Sequence, residues 1–204
     1  MDRDRSAPPT APLPPEAGGG PPGEPVLPAI RRIHGEVDRR VRGLVRRNGA
    51  RLRCGLGCHA CCTDGLSVFE VEADRIRAGA AALLAEGAPH PAGACAFLDE
   101  AGACRVYADR PYVCRTQGLP LRWTEGAEPV EVEYRDICPE NEVEGAPLEA
   151  LPATDCWRIG PTEAALRALQ LERQAAEAVP EGGQAEPRRV ALRDLFLRAP
   201  ASLG

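Results

Sequence analysis

Cys54-Gly55-Leu56-Gly57-Cys58-His59-Ala60-Cys61-Cys62 places four thiols in nine residues, spaced C-x3-C-x2-C-C, with two glycines inside the first interval. Thiolates at this density repel one another and oxidise readily unless something holds them. A metal ion or an iron–sulfur cluster is the partner that suits them. On a helix, Cys54, Cys58 and Cys61 would share one face, being offset by four and three. On a loop softened by Gly55 and Gly57 they would wrap a single centre. Either way three thiolates converge. The vicinal Cys61 and Cys62 point in different directions, so Cys62 is expected to serve a second position of the site or a second metal.

Five further cysteines follow, at Cys95, Cys104, Cys114, Cys138 and Cys156. The segment Cys95–Leu98, an acidic turn Asp99–Gly102, and Ala103–Tyr107 read as a β-hairpin that would set Cys95 beside Cys104. Such a hairpin lets a distant pair meet a compact cluster, as structural metal sites in small domains commonly do. The candidate metal ligands are therefore Cys54, Cys58, Cys61, Cys62, Cys95, Cys104 and Cys114. Cys138 and Cys156 sit in looser context and read equally well as small buried hydrophobes. His59 is left out of the ligand set, and His34 and His90 read as surface residues.

Composition narrows the function classes. The chain has 204 residues, nine cysteines and a net charge of −5, and all 25 of its basic residues are arginine. The negative balance argues against general nucleic-acid affinity. No apolar run is long enough for a transmembrane helix, and Met1-Asp2-Arg3-Asp4-Arg5 leads into no apolar core of a secretory signal. An odd number of cysteines fits a disulfide framework poorly, and the reducing cytoplasm, where such a set means metal or redox chemistry, is the expected compartment.

Ser6 to Pro28 contains nine prolines and four glycines and almost no large apolar side chain, so residues 1–28 are expected to be a disordered tail. Ile30, Ile33, Val37, Val41, Leu44 and Val45 then recur at helical spacing across Ala29–Gly49. The opposite face is crowded with arginines, among them Arg31, Arg39, Arg42 and Arg46. That face is either simply solvated or, continued by Arg51 and Arg53, helps to keep the neighbouring thiols ionised. Glu70–Glu86 predicts a second helix, and Leu119–Trp123 and Val130–Tyr134 two strands. Pro161 opens a helix to about Ala178, and after the linker Pro180–Pro187 the segment Val190–Leu197 reads as a short final helix. The expected fold is a small cysteine-rich α+β domain, metal-stabilised, with an antiparallel hairpin region and flanking helices. It would span residues 29–178, with 179–204 as linker and short helix.

The cluster Cys54, Cys58, Cys61 and Cys62, followed by Cys104-Arg105-Val106-Tyr107 and Arg110-Pro111-Tyr112-Val113-Cys114-Arg115, resembles the CxxxCxxCC cysteine-cluster (YkgJ-like) family. The resemblance runs from about Arg53 to Cys138. It implies small bacterial proteins to which zinc or iron chelation is ascribed, with an iron–sulfur cluster or a zinc or iron ion as cofactor. Three function classes stay open on the residues: a metal-binding protein, an enzyme using the centre for redox or partner-modifying chemistry, and a metal-folded interaction module. In the third, the basic helix would contact a protein partner. The triad spacing also matches radical S-adenosylmethionine enzymes, but no repeated strand–helix alternation follows it, and no paired carboxylates or phosphate loop support any particular reaction.

Overall fold

A computed structural model describes residues 25–55, 57–127, 130–141, 146–177 and 186–196. The proline-rich tail as far as residue 24, and residues 180–185 of the linker, lie outside the described residues. The fold is α+β. Its spine is α1 (Val26–Asn48), longer at its N-terminal end than the apolar periodicity predicts. Pro28 falls in the first turn, where a missing N–H is tolerated, and the backbone begins with Ala29 N–H donating to Pro25 O.

β1 (Ser67–Phe69), α2 (Glu70–Gly79), α3 (Ala81–Glu86) and α4 (Tyr112–Thr116) follow, then β2 (Leu121–Ala127), β3 (Val130–Asp136), β4 (Trp157–Arg158), α5 (Pro161–Glu177) and β5 (Arg189–Ala191). β2 pairs antiparallel with β3 and parallel with β4; β1 pairs antiparallel with β5, Val68 opposite Val190.

Three expectations need correction. Glu70–Glu86 is two helices, because the backbone at Ala80 leaves the helical region (φ −125°, ψ 30°). Of Val190–Leu197, the described part to Phe196 is no α-helix: Val190 and Ala191 belong to β5, whose edge β1 offers pairing, and Leu192–Phe196 is a 3-10 turn. The Cys95–Tyr107 hairpin shrinks to a chain of turns with one antiparallel bridge, Leu98 opposite Cys104. Prolines and glycines before it and Pro111 after it leave no length for a regular ladder.

Two apolar clusters share α2 between them. One joins Ile30, Ile33, Val37 and Leu44 of α1 to Val71, Tyr112, Leu119, Trp157, Leu166 and Leu169. The other gathers Val68, Ala73, Ile76, Phe97, Val106, Leu192 and Leu195 beneath the turns that carry Cys95 and Cys104. With aromatics only 4% of the chain, Trp157 is the main anchor of the first cluster. Its ring is 1% exposed, its Nε1 donates to the Tyr112 hydroxyl at 2.7 Å, and Arg40 stacks over it at 4.7 Å. Losing such a ring typically costs 3–5 kcal/mol.

His34 is fully buried, not a surface residue. It faces Glu72, 4% exposed, whose Oε1 lies 3.2 Å from His34 Nε2 and accepts the Tyr112 backbone N–H at 2.7 Å. One carboxylate therefore joins α1, α2 and α4. Glu72→Ala should remove about 2–4 kcal/mol of stability by leaving a buried N–H without a partner, read from denaturant midpoints.

Burial lowers the pKa of His34 from its ordinary 6.5, against the pull of Glu72. The folded chain then binds fewer protons than the unfolded one, so this contribution is present above pH 6.5 and is lost as pH falls below it. Between pH 7 and pH 5 the wild type should lose more stability than His34→Gln; parallel losses in the two proteins would contradict this.

Candidate metal centre

α1 ends by design at the thiols. Asn48, 6% exposed, sends its side-chain amide to Leu44 O and Asp155 O, and the backbone N–H groups of Arg51 and Leu52 both return to Asn48 O. The chain then enters the cysteine stretch, which forms turns and no helix, with Cys54, Cys58 and Cys61 exposed and Cys62 half-buried. Of the two backbone readings of the spacing, the described residues show the loop and not the helix. Gly57 supplies it with a left-handed residue at φ 84°, which a β-carbon would strain.

Both ends of this loop are tied down. At its entry, the buried Asn141 accepts the Arg53 N–H at 2.6 Å through Oδ1. Its Nδ2 donates to Gly118 O at 2.7 Å and to Cys54 Sγ at 3.1 Å. At its exit, Cys62 O accepts the Cys95 N–H at 2.8 Å. Two residues on, Asp64 takes a two-pronged contact from Arg193, both N···O distances 2.9 Å, and the Gly93 N–H. Those bonds hold the Asp64 carboxyl down at about 2. Arg193 also donates to His90 O and Ala94 O, so a single guanidinium shapes the turn that delivers Cys95.

The thiols fall into two neighbourhoods. Cys54 feels Cys58 and Cys138, and the backbone turn Cys138–Asn141 places Cys138 beside the Asn141 clamp. Cys62 feels Cys61, Cys95 and Cys104, and Cys114 feels Cys95, Cys104, Cys62 and Cys61. Cys61 stands between, near Cys58 and Cys138 on one side and Cys62 on the other. Cys156 is apart from all of them, buried at 6% exposure against Arg135 and Arg122. No three His, Cys, Asp or Glu among the described residues close to metal-ligand spacing; the fold gathers the thiols without clasping them.

Burial raises the thiols Cys54, Cys61 and Cys104, and pushes Cys62 and Cys114 up to about 12, the neighbouring thiolates adding to it. Near the end of α1, Arg47 pairs with Asp155 at 2.7 Å and Arg40 covers Trp157; just past the helix, Arg51 donates to Ala146 O. Arg105 and Arg110, in the turns around Cys104, are the guanidiniums that favour its thiolate.

Residues 53–138 match the family model CxxCxxCC, described as “Putative zinc- or iron-chelating domain”. Over this segment the chain is similar to that family. The interval from Cys54 to Cys58 is one residue longer than the first interval in that name. No curated protein and no solved structure matches the chain.

The donor chemistry fits zinc or iron: soft thiolates, with a tight backbone wall around the first of them. Gly118 has φ 90°, and a β-carbon there would stand 2.5 Å from Cys54 Sγ. Three contributors escape the sequence reading. Asn141 lies just past the matched segment, Arg193 far beyond it, and Cys138 was indistinguishable from a core cysteine. The only early signal for any of them is the proximity of Cys138 and Asn141 across Pro139.

Gly118→Ala should lower the melting temperature and the bound metal together, since it adds a clash on Cys54 to the strain of a left-handed residue, about 1–3 kcal/mol by itself. Gly160→Ala, at φ 117° with open space around it, should lower the melting temperature alone. Equal metal content in the two variants would show that Gly118 does not shape the site.

Proposed function

We propose that the chain is a metal-binding protein whose cysteines form two four-thiolate centres. An outer one comprises Cys54, Cys58, Cys61 and Cys138; an inner one comprises Cys62, Cys95, Cys104 and Cys114. The observation that supports this is the grouping of Cys54 with Cys58 and Cys138, and of Cys62 with Cys95, Cys104 and Cys114, with Cys61 next to both groups. A single tetrahedral ion needs four thiolates; eight exceed it. The exposed, glycine-bearing loop supplies the movement by which the outer thiols close on an ion.

The two centres have different tasks in this reading. The inner one joins the end of the cysteine loop, the Cys95–Cys104 turns and α4, and stabilises the domain. The outer one, with three of its cysteines exposed, is open to a redox partner or to metal exchange. Iron–sulfur occupancy is favoured on that account, in the reducing cytoplasm. When bound, an iron–sulfur cluster supplies one-electron transfer and a zinc ion a fixed cross-link.

Anaerobic purification followed by iron, zinc and sulfide analysis and a visible spectrum tests the metal. A colourless protein with stoichiometric zinc from both aerobic and anaerobic preparations would end the iron assignment and leave the count of centres untouched. The count has its own test. Cys138→Ser and Cys114→Ser should each remove about half of the metal, and Cys156→Ser none. A single centre predicts that Cys114→Ser or Cys138→Ser empties the protein or changes nothing. Because metal binding contributes folding energy, Cys114→Ser should also melt less cooperatively than Cys138→Ser.

A further inference from the structure

Beside the thiols, a groove of about 570 Å3 opens between α1 and the turn Tyr107–Asp109. One wall is made of two rows on α1, Val41 with Val45 and Arg42 with Arg46, each pair one helical turn apart. Tyr107 and Arg110 form the opposite wall, and the Arg110 guanidinium lies 3.8 Å from the Tyr107 ring centroid. The one acid in the lining, Asp38, is already paired with the buried Arg115 at 2.7 Å.

Two features of this groove are unusual for a solvated surface. Val45 and Tyr107 leave large apolar surfaces in water, at 43% and 65% exposure. Next to them, Arg42, Arg46 and Arg110 make no carboxylate pair among the described residues, and the buried Nε of Arg110 has no hydrogen-bond partner. Other arginines of the chain hold carboxylates, among them Arg47, Arg75, Arg173 and Arg193. The cations of the groove run against the net charge of −5, so the rest of the surface repels a long polyanion while the groove attracts a short one.

We propose that this groove docks an acidic peptide segment of a protein partner. Two carboxylates of the segment take Arg42 and Arg46, and an apolar side chain between them rests on Val41, Val45 and Tyr107. Guanidinium–carboxylate forks give such a contact its register, and the apolar rows give it most of its buried area. The open shape suits a strand or a helix face, not an enclosed metabolite. Tyr107 and Arg110 lie in the chain between Cys104 and Cys114, so the partner is held beside the inner thiols, whichever metal they bind.

The full-length protein, with its metal as isolated, is titrated into a fluorescein-labelled Glu-Glu-Leu-Glu-Glu-Phe-Glu peptide at about 0.1 M salt. Saturable binding is expected, weakened about tenfold or more by Arg42→Glu with Arg46→Glu, and weakened by Tyr107→Ala. Arg31→Glu with Arg167→Glu makes the same change in charge outside the groove and should leave binding intact. Circular dichroism and metal content check that each variant is folded; Arg42→Gln with Arg46→Gln is the milder pair if the reversal disturbs α1. Three results would each overturn the proposal: no saturable binding, equal loss in both charge-reversed proteins, or a single-stranded oligonucleotide binding more tightly through Arg42 and Arg46.

Discussion

The side chain of Asn141 holds the entry of the cysteine loop to the rest of the molecule, and the geometry of the outer thiols follows from it. Three groups need a partner at that point: the Arg53 N–H, the Gly118 carbonyl and the Cys54 sulfur. One amide satisfies all three. An amide does this where a carboxylate or a hydroxyl would not, since it offers an acceptor on one side and two donors on the other. Its complete burial makes each of these bonds worth more than it would be in water. The Asp64–Arg193 pair does the corresponding work at the exit, but at the surface, where its value lies in direction more than in energy.

The core explains why the loop can remain irregular. α1 and α2 are locked by Glu72 and His34, and Trp157 fills the space between α1, α4 and β4. Among the described residues, neither cluster of apolar side chains reaches into the cysteine stretch. The thiols therefore sit on the margin of a packed body, where backbone groups can turn toward sulfur without leaving an apolar void. The half-buried set beneath them, Cys95, Cys104 and Cys114, is attached to the second cluster, in which Cys95 and Cys104 pack as partial apolar residues.

Much of this could be read from the residues, and the reasons for the failures are physical. The periodicity of α1 is plain because Ile30, Ile33, Val37, Val41 and Leu44 recur on one face at steps of three and four. The cysteine spacing and the Arg-Pro turn carried the family likeness that residues 53–138 show. Val190 and Ala191 were misread because an alternating pair of residues cannot announce a strand whose partner lies more than 120 positions away. His34 was misplaced because its burial depends on a carboxylate 38 residues distant. Cys138 and Cys156 looked alike in sequence. What separates them is the fold: one turns back to Asn141, the other faces Arg135 and Arg122.

The tie between Arg193 and Asp64 spans 129 positions. During synthesis, therefore, the four thiols of Cys54–Cys62 leave the ribosome well before the residue that fixes their exit. At the usual ~5–20 residues per second, that interval is roughly 6–26 seconds. Through it the vicinal pair is an open dithiol on a nascent chain, able to exchange with any passing disulfide or to pick up whichever soft metal is most available.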